Sequence, residues 1–251
     1  MKIPVLSFAL LTAWPLAACA AQAASVSVAV AANFSVPMHR IAADFERDTG
    51  HKLLISSGAT GSFYAQIRNG APYEVLLAAD AETPARLVKE GSAVAASQFT
   101  YAVGKLVLWS AQPGLVDAAG EVLKKGRFGH IALANPRLAP YGAAAVQALK
   151  ALGVHDALEP KFVTGENIAQ TYQFVHSGSA ALGFVALSQV RREGTIEGSA
   201  WLVPARLYQP LRQDAVILSK GRGQPAAEAL MQYLKGDKAR ALIRSCGYEV
   251  R

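Results

Sequence analysis

Four short segments hold the residues best suited to chemistry: Ala31-Ala32-Asn33-Phe34-Ser35, Ser56-Ser57-Gly58-Ala59-Thr60-Gly61-Ser62, Ala139-Pro140-Tyr141-Gly142 and Thr164-Gly165-Glu166-Asn167-Ile168. Each is rich in small, hydroxyl or amide residues and runs into a stretch of helical periodicity. One reading is ordinary: Ser35, Ser62 and Thr164 are helix N-caps and the glycines are turn residues. The other is that the free N–H groups of these first helical turns converge on one anion. A helix N-terminus behaves like about +0.5 of a charge, so four aimed at one point would supply about +2 without a lysine or arginine. That charge matches a dianion. A fully deprotonated tetrahedral oxyanion only accepts hydrogen bonds, and backbone N–H, the Asn33 amide and the hydroxyl of Thr60 or Ser62 are suitable donors to it.

The same donor set bears on selectivity. Phosphate near neutral pH keeps a proton, and a pocket of donors leaves that O–H without an acceptor, at a cost of about 1–3 kcal/mol. Glu166 and Asp80 are the carboxylates near these segments that could change this, although Glu166 suits a solvated partner of a helix dipole and Asp80 a cap or turn. Sulfate, molybdate and tungstate are acceptor-only dianions that differ mainly in size, so charge does not separate them.

Other chemistries lack their residue patterns. The five histidines (His39, His51, His130, His155 and His176) form no H-E-x-x-H motif, and no C-x-x-C, G-x-S-x-G or Walker loop is present. The chain is therefore read as a binding protein without a cofactor, not as an enzyme; an enzyme and an interaction-only surface protein are the rival classes. Lys and Arg outnumber Asp and Glu by 25 to 18, but they are scattered and not interleaved with aromatics, so nucleic acid is not the expected partner.

These segments need elements to position them. With 52% hydrophobic and 17% charged residues the chain can build a core and is not of the disordered class. Apolar runs of strand length at 26–30, 53–56, 75–78, 106–110, 130–134, 161–163, 182–185 and 215–218 alternate with helical stripes, among them Met38, Ile41, Ala42 and Phe45, and Ala227, Leu230, Met231 and Leu234. Strict alternation with short connections predicts an α/β fold with parallel sheets covered by helices on both faces. The length suits two lobes, residues 24–103 plus 210–251 and residues 104–209, joined by two crossings with the ligand between them at the carboxyl ends of the strands. Cys246 continues the stripe Ala239, Leu242 and Ile243, which predicts a buried structural thiol.

The N-terminal segment is read apart from the fold. Met1-Lys2, an apolar stretch over 3–16 and Ala21-Gln22-Ala23 make residues 1–23 a signal peptide, which predicts an exported, soluble protein. Leu16-Ala17-Ala18-Cys19 offers a competing lipoprotein signal with Cys19 as the lipidated residue.

Several motifs in order carry a resemblance: Val28-Ala29-Val30-Ala31-Ala32-Asn33-Phe34, Gly58-Ala59-Thr60-Gly61-Ser62, Gln66-Ile67-Arg68-Asn69-Gly70-Ala71-Pro72, Leu77-Ala78-Ala79-Asp80, Tyr141-Gly142, Leu182-Gly183-Phe184-Val185, Tyr233-Leu234-Lys235-Gly236 and Gly247-Tyr248. In this order and spacing the chain resembles the substrate-binding proteins of molybdate ABC transporters. The resemblance implies a two-lobed periplasmic binding protein of type II, with two parallel-rich sheets flanked by helices and two hinge crossovers. It implies a monomer that closes around molybdate or tungstate and delivers it to an inner-membrane permease and its ATPase subunits. Carried over by motif, the ligand positions fall on Asn33, on the Thr60 hydroxyl, and on the helix-start amides of Tyr141 and Ile168; no protein side chain would ligate the metal directly. Some members add a tyrosine after the Leu-Gly-x-Val strand, where this sequence has Ala186. On that reading one donor is lost, and the Asn33 side-chain amide replaces part of the contact.

Overall fold

In a computed structural model of the protein, residues 23–192 and 194–250 are described. Apart from Ala23, the signal-peptide segment lies outside them, and so does Cys19.

The strands are β1 (Ser25–Ala31), β2 (Lys52–Gly58), β3 (Val75–Leu77), β4 (Phe99–Gly104), β5 (Leu106–Ser110), β6 (Ile131–Ala134), β7 (Phe162–Gly165), β8 (Leu182–Ala186), β9 (Arg191–Arg192), β10 (Thr195–Ile196), β11 (Ser199–Leu202) and β12 (Leu211–Ile217). The helices are α1 (Ser35–Thr49), α2 (Thr60–Arg68), α3 (Glu82–Lys89), α4 (Val122–Lys125), α5 (Pro140–Ala151), α6 (His155–Leu158), α7 (Ile168–His176), α8 (Leu187–Val190), α9 (Pro225–Lys235) and α10 (Asp237–Ser245). The long stripes read from the sequence fold as helices, and the apolar runs as strands. Cys246, at the end of α10, is buried and unpaired.

Two five-stranded sheets result, ordered β2-β1-β3-β12-β4 and β11-β5-β8-β6-β7. The residues of β1 divide by the period of two that a strand imposes: Val26, Val28 and Val30 pack with Phe34, Met38, Ile41, Phe45 and Leu230 on one face, while Ala29 packs with Phe63, Leu76 and Leu87 on the other. Both faces are covered, so the strand needs no polar side. The second sheet divides likewise, with Leu106 and Leu108 against Leu149 and Phe184, and Val107 and Trp109 against Val175 and Val185.

The sheets are mixed: strands joined by helical crossovers pair in parallel, as expected, and strands that cross between the sheets add antiparallel pairs. β1 runs parallel to β2 and β3, and β6 parallel to β7 and β8. In contrast, β12 is antiparallel to both β3 and β4, and β5 is antiparallel to β8 and β11. The reason lies in the connections. A helical crossover forces parallel neighbours only within one sheet, whereas β5 and β12 are the strands on which the chain enters the second sheet and returns to the first. Only Lys105 separates β4 from β5, and residues 203–210 separate β11 from β12. β4, β11 and the β9–β10 hairpin are strands without a counterpart in the sequence reading.

Phe45 shows how the apolar stripe of α1 is held: it is fully buried and meets the Tyr233 ring edge to face at 5.4 Å between centroids. Phe45→Ala is expected to lower stability by about 3–5 kcal/mol, read as a shifted urea midpoint, because it leaves a cavity that the packed helix cannot collapse.

Candidate functional site

Each of the four chemistry-bearing segments lies where a strand hands the chain to a helix. Ala31 ends β1 and passes through the 3-10 turn Ala32–Phe34 into α1, and Gly58 and Ala59 lead from β2 into α2. In the second sheet the chain enters α5 at Pro140 after β6, and α7 at Ile168 after β7. The carboxyl ends of strands from both sheets therefore face one chamber, lined by residues 31–33, 58–60, Ala79, 139–141, Asn167 and Ile168. Asn33, Thr60, Tyr141 and Ile168 are all in its wall. The cavity is small, about 10 Å³, room for about one water-sized group. No lysine, arginine or carboxylate lines it.

Helix starts normally satisfy their free N–H groups with a serine, threonine or aspartate cap. Here α1, α2 and α5 are preceded by Phe34, Ala59 and Ala139, none of which can cap through its side chain. The expectation that Ser35, Ser62 and Thr164 serve as N-caps is corrected: Ser35 is the first residue of α1, Ser62 is inside α2, and Thr164 belongs to β7. The one side-chain cap among these four starts is Asn167, whose Oδ1 accepts from the N–H of Ala169 at 2.9 Å and of Gln170 at 3.1 Å. That leaves the N–H of Ile168 over. At α5, Gly142 and Ala143 both donate to the Ala139 carbonyl, and Pro140 has no N–H, so the Tyr141 N–H is the group left over. Thr60, only 1% exposed, accepts from the Ala79 N–H at 3.0 Å through its hydroxyl oxygen, which keeps its own proton for another acceptor.

Asn33 differs from expectation. Its side-chain Nδ2 donates to Gln213 Oε1 at 2.9 Å and to Tyr248 Oη at 3.0 Å, so both amide hydrogens are engaged inside the protein. Asn33 lines the chamber, but what it can offer a guest is its backbone N–H. Ala186, the position without the tyrosine, caps the end of β8 and is not in the wall. A tyrosine from elsewhere reaches Asn33 instead: Tyr248 Oη lies 2.8 Å from the Asn33 carbonyl oxygen and 2.8 Å from Ser188 Oγ. Gln213, Ser188 and Tyr101 escaped the sequence reading. Gln213 stands in the polar stretch Arg212-Gln213-Asp214 ahead of the apolar run and so carried no signal of burial, and Gly247-Tyr248 was present only as a motif.

The carboxylates stand aside. Glu166 is exposed. Asp80 accepts from the N–H and hydroxyl of Thr83 at 2.8 and 3.1 Å, as a turn residue does, and burial raises its pKa above the usual aspartate value. Asp80 lines a wider groove of about 650 Å³ that shares Ala79, Ala139 and Pro140 with the chamber. Beside the groove, the Gly61 N–H donates to the Leu138 carbonyl at 2.8 Å, joining the start of α2 to the loop before α5. A side chain on Gly61 would sit 3.0 Å from the Leu138 Cα, so glycine permits this approach. Burial also holds Tyr101, Tyr141 and Tyr248 above the ordinary phenol pKa, so all three are neutral hydroxyls. Among the described residues no cluster of histidine, cysteine and carboxylate suited to a metal ion is found, and no helix is long and apolar enough to cross a membrane.

Comparison with known proteins agrees with this geometry. The chain is 62% identical over 234 residues to the molybdate-binding protein ModA of Azotobacter vinelandii, covering 93% of each chain. It is 52% identical over 229 residues to the molybdate-binding protein ModA of Rhodobacter capsulatus, covering 91% of this chain and 89% of that one. Its fold matches a solved periplasmic molybdate-binding protein of Azotobacter vinelandii with a TM-score of 0.88 and 44% identity, over 90% of this chain and 99% of that one. The two sheets and their flanking helices are thus those of a two-lobed type II binding protein. The family described as bacterial extracellular solute-binding protein matches residues 26–249, and the chain belongs to that family.

Proposed function

We propose that this protein is a periplasmic receptor that closes around one molybdate or tungstate dianion and delivers it to an ABC importer. The observation that carries this reading is the chamber itself: uncapped helix starts from both sheets face a space with no charged side chain. The binding donors are the backbone N–H groups of Asn33, Tyr141 and Ile168 and the hydroxyl of Thr60. The names of the relatives support molybdate as the cargo. Residues 24–103 with 210–251 form one lobe and residues 104–209 the other. The cargo is carried unchanged, so the protein has no catalytic group. A signal peptide at residues 1–23 exports it, and it acts as a monomer that presents its closed form to the permease and the ATPase subunits behind it.

Neutral donors suit this task. An arginine fork would bind more tightly through a bidentate charge-assisted contact, whereas a receptor must release its guest when the lobes part. The absence of a carboxylate from the wall also disfavours phosphate, whose remaining proton would find no acceptor.

Calorimetric titration with molybdate, tungstate, sulfate and phosphate tests the reading. Molybdate and tungstate are expected to bind, with phosphate weaker by about 1–3 kcal/mol or more; preferential binding of sulfate would replace the assigned cargo, and silence with all four would remove it. Thr60→Val keeps the shape and removes the hydroxyl, and is expected to weaken molybdate binding by about 1.5–3 kcal/mol, the value of a hydrogen bond to a charged group. Ala139→Asp places a carboxylate cap at the start of α5. It is expected to raise the melting temperature of the ligand-free protein slightly while abolishing detectable molybdate binding, because the new carboxylate occupies the N–H groups and repels the anion.

A further inference from the structure

Behind the chamber lies a group of buried polar side chains, of which Asn33 and Tyr141 also belong to its wall. Its centre is Gln213 on β12, which is 0% exposed and uses both ends of its amide. Oε1 accepts from Asn33 Nδ2 at 2.9 Å and lies 3.1 Å from Tyr101 Oη, while Nε2 donates to Tyr141 Oη at 3.1 Å. Asn33 and Tyr101 belong to the first sheet, Tyr141 to the first turn of α5 beside the second. One residue of one sheet thus grips a chamber residue from each side.

The packing leaves no slack around this contact. A Cβ placed on Gly104, where the chain leaves the first sheet, would fall 2.0 Å from Tyr141 Oη and 2.6 Å from Gln213 Nε2. Any other residue there would push the tyrosine off the amide. A parallel tie runs through Ser188 of α8, whose hydroxyl donates to the Asn33 carbonyl at 3.0 Å and meets Tyr248 Oη at 2.8 Å.

We propose that Gln213 is a positioning residue for anion capture: by holding Asn33 and Tyr141 together across the gap between the sheets, it sets the distance between backbone donors on opposite sides of the chamber. This rests on the oxyanion reading above. A buried amide that loses its partner carries a desolvation cost, so the Gln213–Tyr141 bond favours the arrangement in which the two sheets meet and is exchanged for water when they part. The bond contributes to retention of the guest and leaves the strength of each N–H donor unchanged.

Tyr141→Phe keeps the ring and the backbone N–H and removes only the hydroxyl that Gln213 reaches. It tests the proposal together with Gln213→Met and the double variant, by molybdate titration, by stopped-flow release, and by urea unfolding without ligand. Tyr141→Phe is expected to weaken molybdate binding about ten-fold, the value of one hydrogen bond, and Gln213→Met by at least as much, mainly through faster release. The double variant is expected to be no weaker than Gln213→Met, which already removes the Tyr141 contact together with those to Asn33 and Tyr101. The urea midpoint of ligand-free Tyr141→Phe is expected to fall slightly, since Gln213 Nε2 loses a buried acceptor, while unfolding stays a single cooperative transition. Wild-type affinity in Tyr141→Phe, or a double variant weaker than Gln213→Met by the full loss seen in Tyr141→Phe, would overturn the proposal. If Gln213→Met does not fold, Tyr141→Phe decides alone. Wild-type protein that binds no molybdate would remove the oxyanion reading and this inference with it, whereas wild-type binding with an indifferent Tyr141→Phe would remove the inference alone.

Discussion

The structure depends on leaving backbone N–H groups unsatisfied at chosen helix starts. A buried donor without a partner is costly, and most helices avoid this by capping themselves. Side-chain caps are missing from most helix starts among the described residues, but at α2 and α5, which follow Ala59 and Ala139, the uncapped start faces the chamber. At α7 the cap is present, yet Asn167 serves the second and third N–H and passes over the first. A dianion satisfies in one step what capping side chains would otherwise satisfy separately. On the proposed reading, the stability withheld from these helix starts becomes affinity for the guest.

Charge neutrality of the wall follows from the same constraint. An arginine or lysine at the chamber would need its own counter-charge when empty, and a carboxylate would compete for the donors. The titratable groups nearest the site are buried tyrosines held neutral by desolvation, and Asp80 is turned into a local contact with Thr83. The polar side chains under the chamber answer one another: Asn33, Gln213, Tyr101, Tyr141, Tyr248 and Ser188 form a connected set. Such a set is stable only when its members are all in place, which gives the meeting of the two sheets a definite geometry.

The mixed sheets serve this arrangement. Because β5 and β12 enter their sheets directly from the other half of the molecule, the crossings lie close behind the chamber, and Leu211 of β12 joins the apolar cluster that contains Tyr141 and Ile168. Ala31, Ala32, Ala59 and Ala79 complete that cluster from the first sheet. Small side chains there let two sets of strand ends approach without filling the space between them.

Much of this was legible in the residues. Helix stripes, strand runs and the composition of the four loops are local properties, decided over a few positions by period and by cap chemistry, and they marked out the four loops; within them Asn33, Thr60, Tyr141 and Ile168 were singled out by the family resemblance. The serines beside the helix starts misled because Ser35 and Ser62 stand one and three residues past the cap positions Phe34 and Ala59, where a hydroxyl no longer caps the helix. Tertiary structure alone decided which way the strands run, since β12 pairs with β3 and β4 across long stretches of chain. It also decided that the Asn33 amide turns inward, because its partner Gln213 is 180 residues away. Sequence by itself determined the kinds of donor available and the turns that present them; convergence on one point, and the absence of competing charge there, came from contacts between halves that no local pattern encodes.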